Sequence, residues 1–176
     1  MVERDFADSE RGGYFLSSLA SETPLARLRG DIDGAIPSGN GVHAWNLLRL
    51  AELTGRGELA TRAERTLTAF GQRVNAYPAG YASLLLAVDF LAAGPREIVL
   101  AGERGDPALE ALLGVVRRSA APRVVALADR RADASLIPLV EDREPGPRGA
   151  RAFVCRSWAC QEPVEDPEGL ASLLED

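Results

Sequence analysis

The stretch Gly94-Pro95-Arg96-Glu97-Ile98-Val99-Leu100-Ala101-Gly102-Glu103-Arg104-Gly105-Asp106-Pro107 is where the sequence changes character. Before it, apolar residues recur at helical spacing; within it, Glu97-Ile98-Val99-Leu100-Ala101 has the length and near-continuous apolarity of a buried strand. Gly102 to Gly105 makes a turn. Asp106-Pro107 then reads as a helix start, a capping carboxylate ahead of a proline whose missing N–H costs nothing in the first turn. That helix should run to about Arg118, and Val124-Val125-Ala126-Leu127-Ala128 is a second strand. Strand, helix and strand in this order make a βαβ unit, hence a parallel pair with a right-handed crossover.

Toward the C-terminus the pattern predicts a short helix over 135–140, a loop over 141–149, a third strand over 152–155 and a last helix from Asp166-Pro167 to Leu174. Toward the N-terminus it predicts three helices, over 38–53, 58–74 and 79–92, joined by short links that make antiparallel neighbours. The first has apolar residues around most of its circumference, as in a helix buried on more than one side. Two short runs, Gly12 to Leu16 and Leu25 to Arg29, flank a polar turn and suggest a β-hairpin. Residues 1–11 read as disordered or as borrowed from a neighbouring element.

At 176 residues the chain can hide about 70% of its unfolded surface. All 20 basic residues are Arg. Absent Lys excludes a Schiff-base or pyridoxal anchor and a Walker-type phosphate loop. A single histidine, His43, excludes a three-His zinc centre, and two cysteines, Cys155 and Cys160, cannot close a four-Cys site. No cofactor is expected. The net charge of -6 argues against nucleic acid, and the longest apolar run is too short to cross a bilayer. The expected location is the cytoplasm, with both thiols reduced.

Several groups merit weighing as sites. Gly102-Glu103-Arg104-Gly105 sits between strand and helix, yet lacks the dinucleotide fingerprint and reads as an ordinary βα turn. The loop Gly30-Asp31-Ile32-Asp33-Gly34-Ala35-Ile36-Pro37-Ser38-Gly39-Asn40 is richer. Ser38 or Asn40 can cap the following helix while Asp31 and Asp33 bond loop amides. Alternatively, Asp31 and Asp33 face a cavity as acid and base on a sugar, with Ser38, Asn40 and Trp45 binding it. Cys155 and Cys160 lie five apart, not at the spacing of a dithiol redox motif, and read as free, partly buried thiols; a disulfide or a shared metal is the minority reading.

Asp33-Gly34-Ala35-Ile36-Pro37-Ser38-Gly39-Asn40 followed by Asn46-Leu47-Leu48-Arg49-Leu50-Ala51 resembles the central signature of the spermatogenesis-associated protein 20 family, the YyaL proteins. The resemblance continues through Pro95-Arg96-Glu97-Ile98-Val99 and Asp106-Pro107. It ends on Val154-Cys155-Arg156, Ala159-Cys160-Gln161, Pro163 and Asp166-Pro167-Glu168. Gly41 and His43 depart from it, so His43 carries no family role. Members join a thioredoxin-like domain to an α/α toroid similar to N-acylglucosamine 2-epimerases and six-hairpin glycosidases. The resemblance implies their C-terminal part, with Asp33, Ser38 and Asn40 lining the cleft.

The expected fold is therefore mainly α with an α/β portion. Residues 1–94 would be a β-hairpin plus helical hairpins of a partial α/α toroid, and 95–176 a small three-stranded, βαβ-containing sheet. The expected function is a structural or cleft-forming module without complete catalytic machinery. The rival is a sugar-processing enzyme part using the loop carboxylates. Expected partners are a protein chain that supplies the rest of the toroid, or a second copy, and a carbohydrate-like small molecule under the rival reading; no nucleic acid and no membrane are expected.

Overall fold

The computed structural model describes residues 2–22, 26–120 and 123–175. It separates into two compact units. Unit 1 takes residues up to Ala51 together with Arg56–Ala92; unit 2 takes Glu52–Gly55 and everything from Ala93 onward.

Unit 1 is helical. A short helix α1 (Val2–Phe6) opens it where disorder was expected, held by Leu19 N and Arg27 Nη2 donating to the Asp5 carbonyl. The anticipated hairpin is not built. Among the described residues the runs meet through one backbone bond, Leu16 N to the Leu28 carbonyl, besides Arg29 Nη1 donating to the Gly12 carbonyl, and Tyr14 makes only an isolated bridge to Ala7. Leu25, in the second run, lies outside the described residues. The helices α2 (Gly39–Thr54), α3 (Gly57–Ala76) and α4 (Ala82–Ala93) follow, α4 preceded by a single 3₁₀ turn over Pro78–Gly80. On α3 the buried residues Leu59, Ala63, Thr66, Phe70 and Val74 step by three or four, one stripe along the helix. Phe70 and Val74 pack with Tyr81 and Leu84 in a small core.

Unit 2 is built on a sheet of four strands, β1 (Arg96–Gly102), β2 (Arg123–Ala128), β3 (Ala150–Arg156) and β4 (Ala159–Cys160), in the order β2-β1-β3-β4. β1 pairs parallel with β2 and antiparallel with β3, so the sheet is mixed. Helix α5 (Pro107–Arg118) makes the β1–β2 crossover, and Asp106 caps it by accepting from Ala108 N. Ile98, Leu100, Ala152 and Val154 face α5 and the last helix α6 (Pro167–Glu175), closing a core with Leu109, Leu112, Val116 and Leu170. The short helix expected over 135–140 is only a 3₁₀ turn, Pro138–Val140.

Two fold expectations are corrected. The sheet has four strands, because a two-residue strand after a tight turn leaves no apolar pattern to read. Nor is there a partial toroid. The described residues form six helices beside a mixed sheet, and only α2, α3 and α4 stand in the region where a succession of hairpins was expected.

Candidate functional site

In unit 1 the loop carboxylates are bound into the fold. Asp31 is buried; Arg73 Nη1 lies 2.9 Å from its Oδ2, and its charge acts on the buried Tyr81. Burial first, and then the Asp31 charge, push the Tyr81 hydroxyl up from its ordinary value. Asp33 accepts three bonds: from Ser38 N at 2.8 Å, from Ser83 N at 2.7 Å and from Ser83 Oγ. Burial alone would raise the Asp33 carboxyl, but these donors outweigh it and hold the group below its ordinary value.

Ser38 is the N-cap of α2: its Oγ accepts from Gly41 N at 3.1 Å and meets Ser83 Oγ at 3.1 Å. A Cβ on Gly41 would collide with Ser83 Oγ, so the close approach of α2 to α4 requires glycine there. Asn40 is buried and saturated. Its Oδ1 accepts from Tyr14 N at 2.7 Å, and its Nδ2 donates to the carbonyls of Tyr14 and Gly30. Trp45 is half-buried under the Arg49 guanidinium, 5.1 Å from the ring centroid. His43 packs edge-on against Tyr14, and burial lowers its imidazole against the opposing pull of Glu3, 3.8 Å away. Asp33, Ser38 and Ser83 thus form one cluster, whereas Asn40 ties α2 to the chain around Tyr14 and Trp45 packs under Arg49.

Unit 2 holds a second group that sequence reasoning passed over. Glu97, on the β1 face opposite Ile98 and Leu100, is fully buried. Its Oε2 accepts from Trp158 N at 3.3 Å, while no amide, hydroxyl or guanidinium among the described residues reaches Oε1. Glu52, half-buried, is the carboxyl that interacts with Glu97: burial first, then its hydrogen bond and charge interaction with Glu97, push Glu52 up to about 7.

Glu97 stands in register with Cys155 across β1 and β3, and Cys155 stands in register with Cys160 across β3 and β4. The two cysteines form a disulfide, with Cα atoms 3.9 Å apart. This corrects the expectation of reduced thiols: a two-residue turn brings them face to face. Ser157 (φ 51°) and Trp158 (φ 66°) both adopt the left-handed conformation a type I′ turn demands, without the Asn or Gly that usually supplies it. Cys155 is buried, whereas Cys160 is exposed and accepts from Arg143 Nη2 at 3.2 Å. Arg143 also stacks over Phe153, 4.8 Å from the centroid. The Trp158 ring, 45% exposed, faces Gly55, where a Cβ would stand 3.3 Å from it.

The turn at Gly102 to Gly105 is occupied by ion pairs, Glu103 with Arg130 and Arg104 with Asp129, and reads as an ordinary βα connection. No helix among the described residues is long and apolar enough to cross a membrane.

No family model matches the chain. It is similar to spermatogenesis-associated protein 20 of Homo sapiens, 35% identical over 175 residues that take in 96% of this chain. The Rattus norvegicus protein of the same name is 34% identical over 175 residues, also 96% of the chain. An uncharacterized protein of Caenorhabditis elegans is 26% identical over 167 residues and 92% of the chain. The chain spans 22% of the length of each of these curated relatives.

Proposed function

We propose that the chain is a structural module of a longer, cytoplasmic, thioredoxin-domain-containing protein like spermatogenesis-associated protein 20, and that its loop carboxylates hold structure instead of processing a sugar. The observation that carries this reading is the commitment of both Asp33 oxygens to donors within the fold, Ser38 N, Ser83 N and Ser83 Oγ. A general base needs a free lone pair aimed at its substrate, and a general acid needs a raised pKa. Asp33 is depressed and committed, and Asp31 is paired with Arg73. The similarity over 96% of the chain but 22% of the relatives' length supports a module that works beside further polypeptide.

Under this reading unit 1 offers its partner the outer side of α4, where Leu85, Leu86, Val88 and Leu91 are exposed. The test uses Asp33→Asn in the whole chain, with calorimetric titration of a panel of neutral and N-acetylated hexoses and a thermal melt. The expected result is no heat from any sugar with either protein and a lowered Tm for the variant. An unchanged Tm together with sugar binding that disappears in the variant would overturn the proposal in favour of the enzyme.

A further inference from the structure

We propose that Cys155–Cys160 is an exchange-active disulfide, reduced by a dithiol that attacks Cys160 Sγ, with Cys155 leaving beside the Glu97 carboxyl and its neighbour Glu52.

Geometry selects the sulfur that is attacked. Cys160 is exposed and Cys155 is buried, so an incoming thiolate reaches only Cys160. The new bond forms between the reductant sulfur and Cys160 Sγ as the Cys155–Cys160 bond breaks, and Cys155 departs with the electron pair. The second thiol of the reductant, as its thiolate, then attacks its own sulfur in the mixed disulfide and releases Cys160 as a thiolate. The dithiol becomes a disulfide, and the protein disulfide becomes two thiols.

Each sulfur has a group suited to its fate. The Arg143 guanidinium already donates to Cys160 Sγ, and the same contact becomes a charge-assisted bond once that sulfur is anionic. Stacking over Phe153 keeps Arg143 in place for it. Cys155 is the opposite case, since a thiolate released into a buried site pays the full cost of desolvation. Its cross-strand neighbour in register is Glu97, and the carboxyl that interacts with Glu97 is Glu52. The other in-register neighbour of Glu97 is Val124, which is apolar, and from the β3–β4 turn only the Trp158 amide reaches the pair. Raised to about 7, the Glu52 carboxyl can give a proton to the departing sulfur and regain one from solvent. The positive φ at both Ser157 and Trp158 adds a reason for exchange to matter, because the disulfide closes a turn these residues adopt at a cost.

The experiment follows reduction of the intact chain by dithiothreitol across pH, read by alkylation and mass spectrometry. The folded protein should reduce, Cys160 should alkylate at least about tenfold faster than Cys155, and Arg143→Gln should slow Cys160 at neutral pH by about tenfold. Glu52→Gln keeps a donor to Glu97 and so preserves the fold, but it has no proton to transfer. Its reduction should slow by about tenfold and lose the inflection near pH 7 that the natural chain shows. In Cys155→Ser, oxidised glutathione should trap a mixed disulfide on Cys160. A disulfide that resists dithiothreitol while the protein stays folded would overturn the proposal. So would preferential alkylation of Cys155, or an unchanged pH profile in Glu52→Gln.

Discussion

Helices α4 and α5 have 12 residues each and belong to different units. On α5 the inward residues are Leu109, Leu112, Val115 and Val116, while Glu110, Arg117 and Arg118 face outward. On α4 the inward residues are Ser83, Leu84, Ala87 and Phe90, but Leu85, Leu86, Val88 and Leu91 are also left outside, with Asp89 as the one charge. The first helix uses its apolar surface to close its own unit's core. The second has more apolar surface than its unit covers. The units therefore differ in kind: one is finished by its own residues, and the other is shaped for something beside it.

The sharpest way to break that contrast is to truncate one leucine on each helix. Leu112 has no exposed surface and sits in the α5–α6–sheet core, so Leu112→Ala should cost about 2–5 kcal/mol. Leu86 is 54% exposed, and Leu86→Ala should move stability by less than about 0.5 kcal/mol. Urea denaturation of the two variants measures both. Equal losses would mean that the α4 face is packed after all.

The units should also respond to pH in opposite senses. Asp33 titrates below its ordinary value in the folded chain, so its contribution is full above the unfolded carboxyl's titration and is lost as pH falls through the folded one. Glu52 is raised from 4.5 to about 7. Its neutral form is the one the fold keeps, so its contribution is full below about 4.5, declines as pH rises and levels off above about 7. Denaturation of Asp33→Asn and Glu52→Gln from pH 3 to 8 separates the two, with Asp33→Asn flattening the acid limb and Glu52→Gln the limb between 4.5 and 7. A Glu52→Gln curve that keeps its neutral limb would rule out the raised Glu52 carboxyl.

What could be read beforehand divides along the same line. The βαβ unit was legible because Asp106-Pro107 announces a helix start between two apolar runs, and each signal is local. Glu97 was not, since a carboxylate at the head of a strand looks like a solvated edge until Glu52 supplies its hydrogen bond. The disulfide was obscured by its turn: Ser157 and Trp158 are poor candidates for two positive φ angles, so the pairing of Cys155 with Cys160 stood only as the minority reading. In unit 1, Asp33 was visible as a loop carboxylate next to a cap. Its main donor, Ser83, is 50 positions away and carries no signal that connects them. The toroid expectation failed for a related reason. Apolar helices joined by short links reveal neighbours, but they do not count how many more complete a ring.

The smallest effect on stability is also the most direct test of what unit 1 is shaped for. If the outer side of α4 meets a partner, charge placed there should leave the fold intact and remove the association. Leu86 and Leu91 are both partly exposed, so a carboxylate at either position stays in water and the double variant L86E/L91E should unfold within about 0.5 kcal/mol of the natural chain. Static light scattering at rising concentration should show the natural chain gaining mass, because an apolar face without its own cover associates with another copy when nothing else is offered. The double variant should remain a monomer, since pairing the face would then bury like charges against each other. A natural chain that stays monomeric at every concentration, with no binding of an apolar dye, would remove the difference between α4 and α5 on which the contrast rests.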